Sequence, residues 1–420
     1  MFIQVEVNFM ERVILHSDCN SFFASVEMAL NPNLKNVPMA VCGDPEKRHG
    51  IILAKNELAK KYNIETAETI WKAQKKCPNL VLVKPHYEEY YKYSKRVNEV
   101  YKKYTDLVEP FGIDESWLDV TSSQKLFGNG IEIANKIRNE IKETIGITVS
   151  IGVSFNKVFA KLGSDYKKPD AITVISKENY KKIVYPLKAS ELLYCGKRSS
   201  KILRDAKIFT IGDLASSNRE YLENKLGKMG STLYEYANGK DNSKVASIYD
   251  KHELSSISHD ITFERNLIGT SEIKFGISII AEYVGLRIRK MNKKAFTVHV
   301  AIKDKNLKVT SKQVTLKEPI NLTKDIIDTC MNLVISFWNV KNDVRMLSIS
   351  LSNLVEENYT SNKQISFFDK VDRKCNKSSE KQRKLENAID TIRDSFGMGS
   401  IVKANILENN LYKLEELKKK

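Results

Sequence analysis

Two adjacent carboxylates, Asp114 and Glu115, lie in a mostly apolar stretch of the chain, residues 108–120. Residues 110–112, Pro-Phe-Gly, have the composition of a turn, and the apolar runs on either side are short enough for buried strands. Two acids at a buried turn repel each other and resist desolvation, so the pKa of one of them would rise. Mg2+ relieves this cost, because it prefers one or two protein carboxylates together with substrate phosphates. The alternative is an ordinary hairpin with solvated acids.

A third carboxylate, Asp18, ends an apolar run that begins at Val13 and is typical of a buried strand. Asn20 and Ser21 offer a cap for a following helix. The pattern then predicts a helix over 22–30, strands over 38–42 and 51–54, helices over 56–62, 88–104 and 131–145 (apolar face 131, 134, 137, 141 and 145), a strand over 146–153 and a helix over 155–161. This order predicts a compact α+β fold, with Asp18 and the acidic turn at one end of a single sheet.

The composition favours a polyanionic partner, either nucleic acid or an anionic membrane surface. The 420 residues include 68 Lys and Arg against 52 Asp and Glu, which gives a net charge of +16 and a pI of about 9.3. We expect no membrane insertion, since no apolar run approaches the roughly 20 residues that span a bilayer. The six cysteines form no C-x-x-C pair, and residues 1–10 carry no signal pattern, so we expect a reducing, cytoplasmic location.

The pattern over residues 188–244 is typical of short helices. It predicts helices over 192–208 and 210–214, with a glycine turn joining them. Such a hairpin can bind a DNA phosphate through its backbone N–H groups, or it can be part of a plain helical bundle. Residues 241–256 are polar and are predicted to be a linker.

A second α+β region follows this linker. It is predicted to contain helices over 271–290 and 324–338 and strands over 296–302, 308–315 and 344–351. A basic cluster where helix meets strand is either a phosphate-binding patch or a solvated charged face; it consists of Arg287, Arg289, Lys290, Lys293 and Lys294. After residue 356 the chain becomes a polar tail, with a helix predicted over 385–396.

Three motifs in order, residues 18–27, 113–119 and 154–161, give the sequence a specific resemblance to the Y-family DNA polymerases, the translesion enzymes. The similarity runs over residues 13–354 and is greatest with the bacterial DNA polymerase IV branch, while Asn20 is a UmuC-like feature. The resemblance implies a right-hand polymerase with a ferredoxin-like palm, small fingers, a helical thumb with a helix-hairpin-helix, and an α+β little-finger domain. The implied bounds are 12–22 and 86–170 for the palm, 23–85 for the fingers, 171–243 for the thumb, 244–255 for a linker, 256–355 for the little finger and 356–420 for the tail.

The resemblance also implies roles for single residues. Asp18 and Asp114 resemble the carboxylates that bridge two Mg2+ ions, Glu115 resembles a third acid near the primer 3′ hydroxyl, and Cys19 would offer its backbone carbonyl to a metal. Phe23 falls at the steric gate, whose ring packs under the sugar and excludes a 2′-hydroxyl. The implied nucleotide-binding residues are Phe22, Phe23, Lys60 and Lys157. One of the two rings could instead belong to the core, and Lys157 could be a surface lysine.

The sequence departs from the family pattern at two positions in the fingers. Glu57 replaces a Tyr and Lys60 replaces an Arg that grip the triphosphate in many relatives. Lys60 can act as a point charge but lacks the bidentate fork of arginine. An ionised Glu57 cannot donate to a phosphate, so we expect it to point away. Residues 195–198 also depart from the usual glycine-rich turn of the hairpin.

The implied partners are primer–template DNA, deoxynucleoside triphosphates and a bacterial sliding clamp, for a monomer that associates with the nucleoid. The clamp would bind a peptide in the tail that consists of Gln364, Ile365, Ser366, Phe367 and Phe368. We therefore expect a template-directed, low-fidelity DNA polymerase. The alternatives are a non-catalytic, clamp-recruited DNA-binding scaffold with a decayed palm, and a nucleotide cyclase built on a similar sheet.

Overall fold

The structure is a computed structural model that describes residues 11–44, 50–250, 253–359 and 373–402. The described chain divides into a first compact unit that ends at residue 250 and a second that begins at residue 253. The peptide at 364–368, predicted to bind a clamp, lies outside the described residues.

The first unit contains the predicted elements in the predicted order, followed by short helices. It also contains helices over 70–76 and 124–127 and strands over 81–83 and 172–175, which were not predicted. Its strands are β1 (Ile14–Cys19), β2 (Met39–Cys42), β3 (Ile52–Lys55), β4 (Val81–Val83), β5 (Val108–Pro110), β6 (Glu115–Asp119), β7 (Val149–Ser154) and β8 (Ile172–Ile175). Its helices are α1 (Phe22–Leu30), α2 (Glu57–Lys60), α3 (Ile70–Lys76), α4 (Tyr87–Lys102), α5 (Gln124–Phe127), α6 (Gly130–Ile145), α7 (Lys157–Tyr166), α8 (Tyr180–Val184), α9 (Lys197–Asp205), α10 (Ile211–Ser216), α11 (Arg219–Leu226) and α12 (Lys228–Ala237).

A five-stranded sheet of order β5-β6-β1-β7-β8 forms the centre of this unit. The strand β1 lies antiparallel between β6 and β7, and β8 adds a parallel edge. Without that edge strand, the chain order β1-α4-β5-β6-α6-β7 and the spatial order β5-β6-β1-β7 are those of a ferredoxin-like split βαβ fold. The structure therefore confirms the predicted α+β class and the single sheet.

The helix α6 packs its apolar face onto this sheet and shows how local sequence sets its bounds. Asn129 and Glu132 form a capping box at its start, and Gly146, at φ 79°, ends it. The prediction that Ile131 begins the buried face is wrong, because Ile131 is 45% exposed whereas Ile133 is fully buried.

A small three-stranded sheet of order β3-β2-β4 follows α1 in the chain. The buried side chain of Asn56 joins this sheet to the one-turn helix α2, which is shorter than predicted. Its Oδ1 accepts from the backbone N–H of Met39 at 3.2 Å and of Ala59 at 3.0 Å, and its Nδ2 donates to the carbonyl of Val37 at 2.8 Å. These bonds fix the start of α2 relative to β2 and β3.

The helices α8 to α12 pack together with α7 around a second, smaller core, and the glycine turn predicted among them is absent from this described stretch. Gly212 lies in the first turn of α10 rather than between two helices, and α9 begins only at Lys197. The cause is a capping box in which Thr210 and Asp213 exchange hydrogen bonds, which starts α10 before the glycine.

Part of the predicted linker is packed on the first unit. Asp241 is 7% exposed and accepts from the backbone N–H of Lys157 at 3.1 Å. Glu109 accepts from the backbone N–H of Ala246 at 2.9 Å, and Val245 is buried. Polar composition suggested a free segment here, but these polar groups are satisfied within the fold.

The second unit is an antiparallel sheet of order β11-β10-β12-β9 with helices packed against it. Its elements are β9 (Ser256–Leu267), α13 (Thr270–Lys290), β10 (Lys293–Lys303), β11 (Val309–Ile320), α14 (Thr323–Phe337), β12 (Val344–Glu356) and α15 (Arg373–Phe396). The strand β9 was not predicted, because charged residues interrupt its apolar alternation.

The helix α15 belongs to this second unit, which corrects the prediction that the chain after residue 356 is only a tail. Arg289, which is 8% exposed, donates to Asp390 at 2.6 Å and to Glu386 at 2.5 Å. Arg393 pairs with Glu282 at 2.7 Å. The predicted phosphate patch is therefore wrong at Arg289, because its charge is paired with carboxylates of α15 within the second unit.

Candidate active site

The carboxylates that the sequence singles out lie together at one end of the central sheet. Asp18 is directly opposite Glu115 in the antiparallel pairing of β1 with β6, and the backbone N–H of Cys19 donates to the carbonyl of Asp114 at 2.9 Å. This register follows from the hairpin of β5 and β6, which turns at Gly112 and returns the acids to the end of β1. The predicted meeting of the strand end and the acidic turn is confirmed.

A cavity of about 340 Å³ opens at this end of the sheet. Its lining combines acids, aromatic rings and lysines, namely Asp18, Cys19, Ser21, Phe22, Phe23, Leu53, Ala54, Lys55, Lys60, Thr66, Asp114 and Lys168. The cavity thus offers both carboxylates and amines, a combination suited to a cation together with a polyanion.

The two cavity carboxylates are held in an unfavourable environment. Burial, and then the charges of Asp18 and Glu115, raise the pKa of Asp114 to about 6. Burial also raises the pKa of Asp18, against the effect of Lys168, whose Nζ lies 2.8 Å from Asp18 Oδ2. Partly desolvated carboxylates that repel each other fit a hard divalent cation, which takes oxygen ligands.

Glu115 has a different environment although it is adjacent in sequence. Burial favours its neutral form, but the close contacts with His16 and Lys161 lower the pKa of Glu115 to about 2. His16 is itself fully buried, with its Nε2 3.3 Å from Glu115 Oε2 and its Nδ1 2.8 Å from Ser164 Oγ. Glu115 is therefore ionised and fixed in position.

No group of three or more His, Cys, Asp or Glu side chains that could hold a metal is formed within the described parts of the chain. Asp18 and Asp114 supply two carboxylates, whereas Glu115 bonds to Lys161. The thiol of Cys19 is buried and its pKa is raised well above the usual range by that burial, so it is a poor ligand for Mg2+. Any ligand from Cys19 would be its main-chain carbonyl.

The two adjacent phenylalanines differ in their surroundings. Phe22 is 3% exposed and belongs to the core beneath the cavity, as one of the two rings was expected to do. The ring of Phe23 is only half-buried and stacks on Tyr90, with ring centroids 4.3 Å apart and planes 14° apart. The hydroxyl of Tyr90 donates to Glu27, so a buried hydrogen bond holds the surface on which Phe23 rests.

The structure does not bring Lys157 to the cavity, which contradicts its predicted contact with a nucleotide. Its Nζ lies 2.7 Å from both carboxylate oxygens of Glu109 and 4.4 Å from the centre of the Trp117 ring. The reason is strand direction. The strand β7 is antiparallel to β1, so Lys157, which follows Ser154, begins α7 at the end of the sheet opposite Asp18.

Lys168 is a cavity lysine that the sequence reasoning missed. It follows the end of α7, which runs back along the sheet, and it thereby returns to the end that carries Asp18. The Lys168-Pro169 dipeptide was the available signal, because a residue before proline disfavours helix and marks where α7 must stop.

The two unusual residues of α2 contact each other at the cavity. Lys60 lines the cavity as expected, and its Nζ lies 2.6 Å from Oε1 of Glu57. The same Glu57 oxygen accepts from the hydroxyl of Ser21 at 3.3 Å. The carboxylate of Glu57 does not line the cavity itself, but it holds a lysine that does.

Acids at the strand ends of a ferredoxin-like sheet, beside an aromatic ring and lysines, fit the class of palm-type nucleotidyltransferases. Residues 17–165 match the model of the impB/mucB/samB family, and residues 255–367 match the model of that family's C-terminal domain. The chain therefore belongs to the impB/mucB/samB family of Y-family DNA polymerases. The predicted family, right-hand polymerase fold and translesion DNA polymerase activity are confirmed.

Individual relatives agree over nearly the whole chain. The chain is 44% identical to DNA polymerase IV of Acetivibrio thermocellus over 401 residues, which are 95% of this chain and 98% of that protein. It is 37% identical to DNA polymerase IV of Clostridium kluyveri, with 95% and 98% covered. A solved Y-family DNA polymerase chimera of Dbh and Dpo4 matches with a TM-score of 0.73 at 27% identity, covering 82% of this chain and 99% of the chimera.

As a member of this family, the chain binds DNA and nucleotides and requires a divalent metal. In the described part of the chain, no helix is long and apolar enough to cross a membrane.

Proposed function

We propose that the cavity at the end of β1 is the site of nucleotidyl transfer, in which Asp18 and Asp114 hold two Mg2+ ions beside a deoxynucleoside triphosphate. The observation that carries this proposal is that both carboxylates line one cavity, where burial raises their pKa. Two carboxylates plus substrate phosphates are the donor set that Mg2+ prefers. Cys19 would add its main-chain carbonyl to this set.

Bound Mg2+ would supply the positive charge that favours deprotonation of the primer hydroxyl and stabilises the leaving pyrophosphate. Glu115 contributes an ionised carboxylate near the primer 3′ hydroxyl, and its pKa of about 2 keeps it unprotonated at neutral pH. Lys161 donates a hydrogen bond that positions this carboxylate, and the buried Nε2 of His16 lies 3.3 Å from it.

Phe23 acts as the steric gate, and Phe22 supports it from the core. The stack of Phe23 on the buried Tyr90 ring resists displacement, so a 2′-hydroxyl would meet a fixed surface rather than a mobile one. Lys60, Lys55 and Lys168 neutralise the triphosphate, because all three line the cavity.

Primer–template DNA binds mainly through its phosphates, which is supported by the net charge of +16. The affinity should therefore fall by about 0.9 log units per contacted phosphate for each log unit of salt. We further propose that the chain acts as a cytoplasmic, nucleoid-associated monomer with the palm, fingers, thumb and little-finger bounds given above. Residues 364–368 would bind the sliding clamp, and deleting them should lower processivity with the clamp but leave clamp-free extension unchanged.

Primer extension with Mg2+ and deoxynucleotides tests the site. We expect Asp18→Asn, Asp114→Asn, and Asp114→Ala combined with Glu115→Ala, each to lower the extension rate by on the order of a thousandfold, because several kcal/mol of charge stabilisation are lost. Glu140→Gln, which changes a carboxylate on α6 that pairs with Lys103, should leave the rate unchanged. Normal extension by the Asp114→Ala and Glu115→Ala variant would refute the proposed site.

Mg2+ binding can be measured without turnover. Added Mg2+ should raise the unfolding temperature of the wild-type protein, since a ligand that binds only the folded state stabilises it. The same addition should have little effect on Asp114→Asn. Equal stabilisation of both proteins would place the cation elsewhere.

A further inference from the structure

The ion pair between Glu57 and Lys60 is built into the fingers by a buried residue. Glu57 is the first residue of α2 and Lys60 the last, and Asn56, which is 2% exposed, caps this turn through its bond to the N–H of Ala59. Asn56 also bonds to the backbone of β2 through Met39. The positions of both charged residues are thus fixed by the fold and not by a flexible loop.

Lys60 faces two kinds of anionic partner. It lines the cavity, where a triphosphate would bind, and it already pairs with Glu57 at 2.6 Å. Glu57 is not among the residues that line the cavity, whereas Ser21 is one of them. The hydroxyl of Ser21 donates a hydrogen bond to the carboxylate of Glu57. The pair is about half exposed, with 39% of the Lys60 side chain and 51% of the Glu57 side chain accessible, so it can open without unfolding its surroundings.

We propose that Glu57 competes with the triphosphate for Lys60 and so weakens nucleotide binding. An incoming triphosphate takes Lys60 from Glu57, and the pair forms again when pyrophosphate leaves. This proposal rests on the cavity being the nucleotide site.

The size of the effect follows from the exposure of the pair. Ion pairs at this exposure contribute little, so releasing Lys60 should improve nucleotide binding by about two- to fivefold. Salt screens the attraction between Glu57 and Lys60, with a Debye length of about 8 Å at 0.15 M. Because the competition affects binding and not the reacting atoms, KM should change while kcat stays the same.

Glu57→Gln tests this inference, because it removes the charge and keeps the shape. On undamaged primer–template, we expect the deoxynucleotide KM of the variant to fall about two- to fivefold at low salt, with kcat unchanged and the difference shrinking as salt rises. Inhibition by added pyrophosphate should become stronger in the variant. Glu99→Gln is the matched control, since Glu99 pairs with Lys102 at 2.7 Å with the same i,i+3 spacing and similar exposure, and it should change none of these values.

The same substitution made in a Lys60→Gln variant shows whether Glu57 affects KM through Lys60. In Lys60→Gln protein, adding Glu57→Gln should leave KM unchanged. An unchanged or raised KM in the single Glu57→Gln variant, or the same fall in KM with Lys60 absent, would overturn the inference. These outcomes are distinct from failure of the proposed active site, which would appear as extension that survives loss of Asp114 and Glu115.

Discussion

The Nζ of Lys168 lies 2.8 Å from Oδ2 of Asp18, so a carboxylate proposed to hold metal is paired with a lysine of the same cavity. Lys168 also pairs with Asp165 at 2.7 Å. If a bound cation neutralised Asp18, the ammonium of Lys168 would be available for another anion in the cavity. A triphosphate bound beside Asp18 is the partner that the proposed function supplies.

Lys168→Met should therefore raise the deoxynucleotide KM by about tenfold, because one charge-assisted contact to phosphate is lost. Steady-state single-nucleotide insertion measures this change. Lys103→Met, which removes an exposed lysine that pairs with Glu140 on the helical side of the sheet, is the control and should leave KM unchanged. A wild-type KM in Lys168→Met would show that this lysine only screens Asp18.

Phe22 and Phe23 are adjacent, and substitution should separate their roles. Phe23→Ala should admit ribonucleotides and cost little stability, because the ring is only half-buried over the cavity. Phe22→Ala should destabilise the protein by about 3–5 kcal/mol, the usual cost of removing a phenyl ring from a core. Competition between ribonucleotides and deoxynucleotides measures the first effect, and urea unfolding measures the second. No gain in ribonucleotide use by Phe23→Ala would rule out the steric-gate role.

The sequence was sufficient to predict the carboxylate pair because strand ends and turns are local features. Asp18 ends an apolar run and Asp114 follows a Pro-Phe-Gly turn, so one sheet was enough to bring them together. Placing Lys157 and Lys168 required the direction in which β7 and α7 run. A motif interpreted without that direction selected Lys157, which lies at the end of the sheet opposite Asp18. Predicting that Arg289 is paired within the protein required knowing where a helix about a hundred residues later packs, and composition alone does not supply this.

Lys157→Met tests this reassignment directly. Removing the amine leaves Glu109 without its ammonium partner, although Glu109 keeps its bond from the N–H of Ala246. Because Lys157 is largely buried, we expect a loss of about 1–3 kcal/mol in the free energy of unfolding. The deoxynucleotide KM of the folded variant should stay within twofold of wild type, in contrast to Lys168→Met. A large rise in KM without loss of stability would restore Lys157 to the nucleotide site.

Arg289 should prove to be a structural residue of the second unit and not a DNA contact. Its guanidinium donates to Glu386 and Asp390 of α15 and to the carbonyl of Asn321 at 3.0 Å, all of them inside the unit. Arg289→Met would leave two carboxylates without their partner, and breaking a buried pair in this way costs about 3–5 kcal/mol.

The neighbouring residue Arg287 provides the comparison, because it is exposed and donates only one hydrogen bond in the described contacts, to the carbonyl of Ser258. Arg287→Met should leave the unfolding midpoint unchanged. In contrast, Arg289→Met should lower the unfolding midpoint. Adding Glu386→Met and Asp390→Asn to the Arg289→Met protein should recover part of this loss, because the two uncompensated charges disappear. If Arg289→Met instead folded normally and weakened DNA binding with a reduced salt slope, its charge would face phosphate, and the role assigned here to α15 would be wrong.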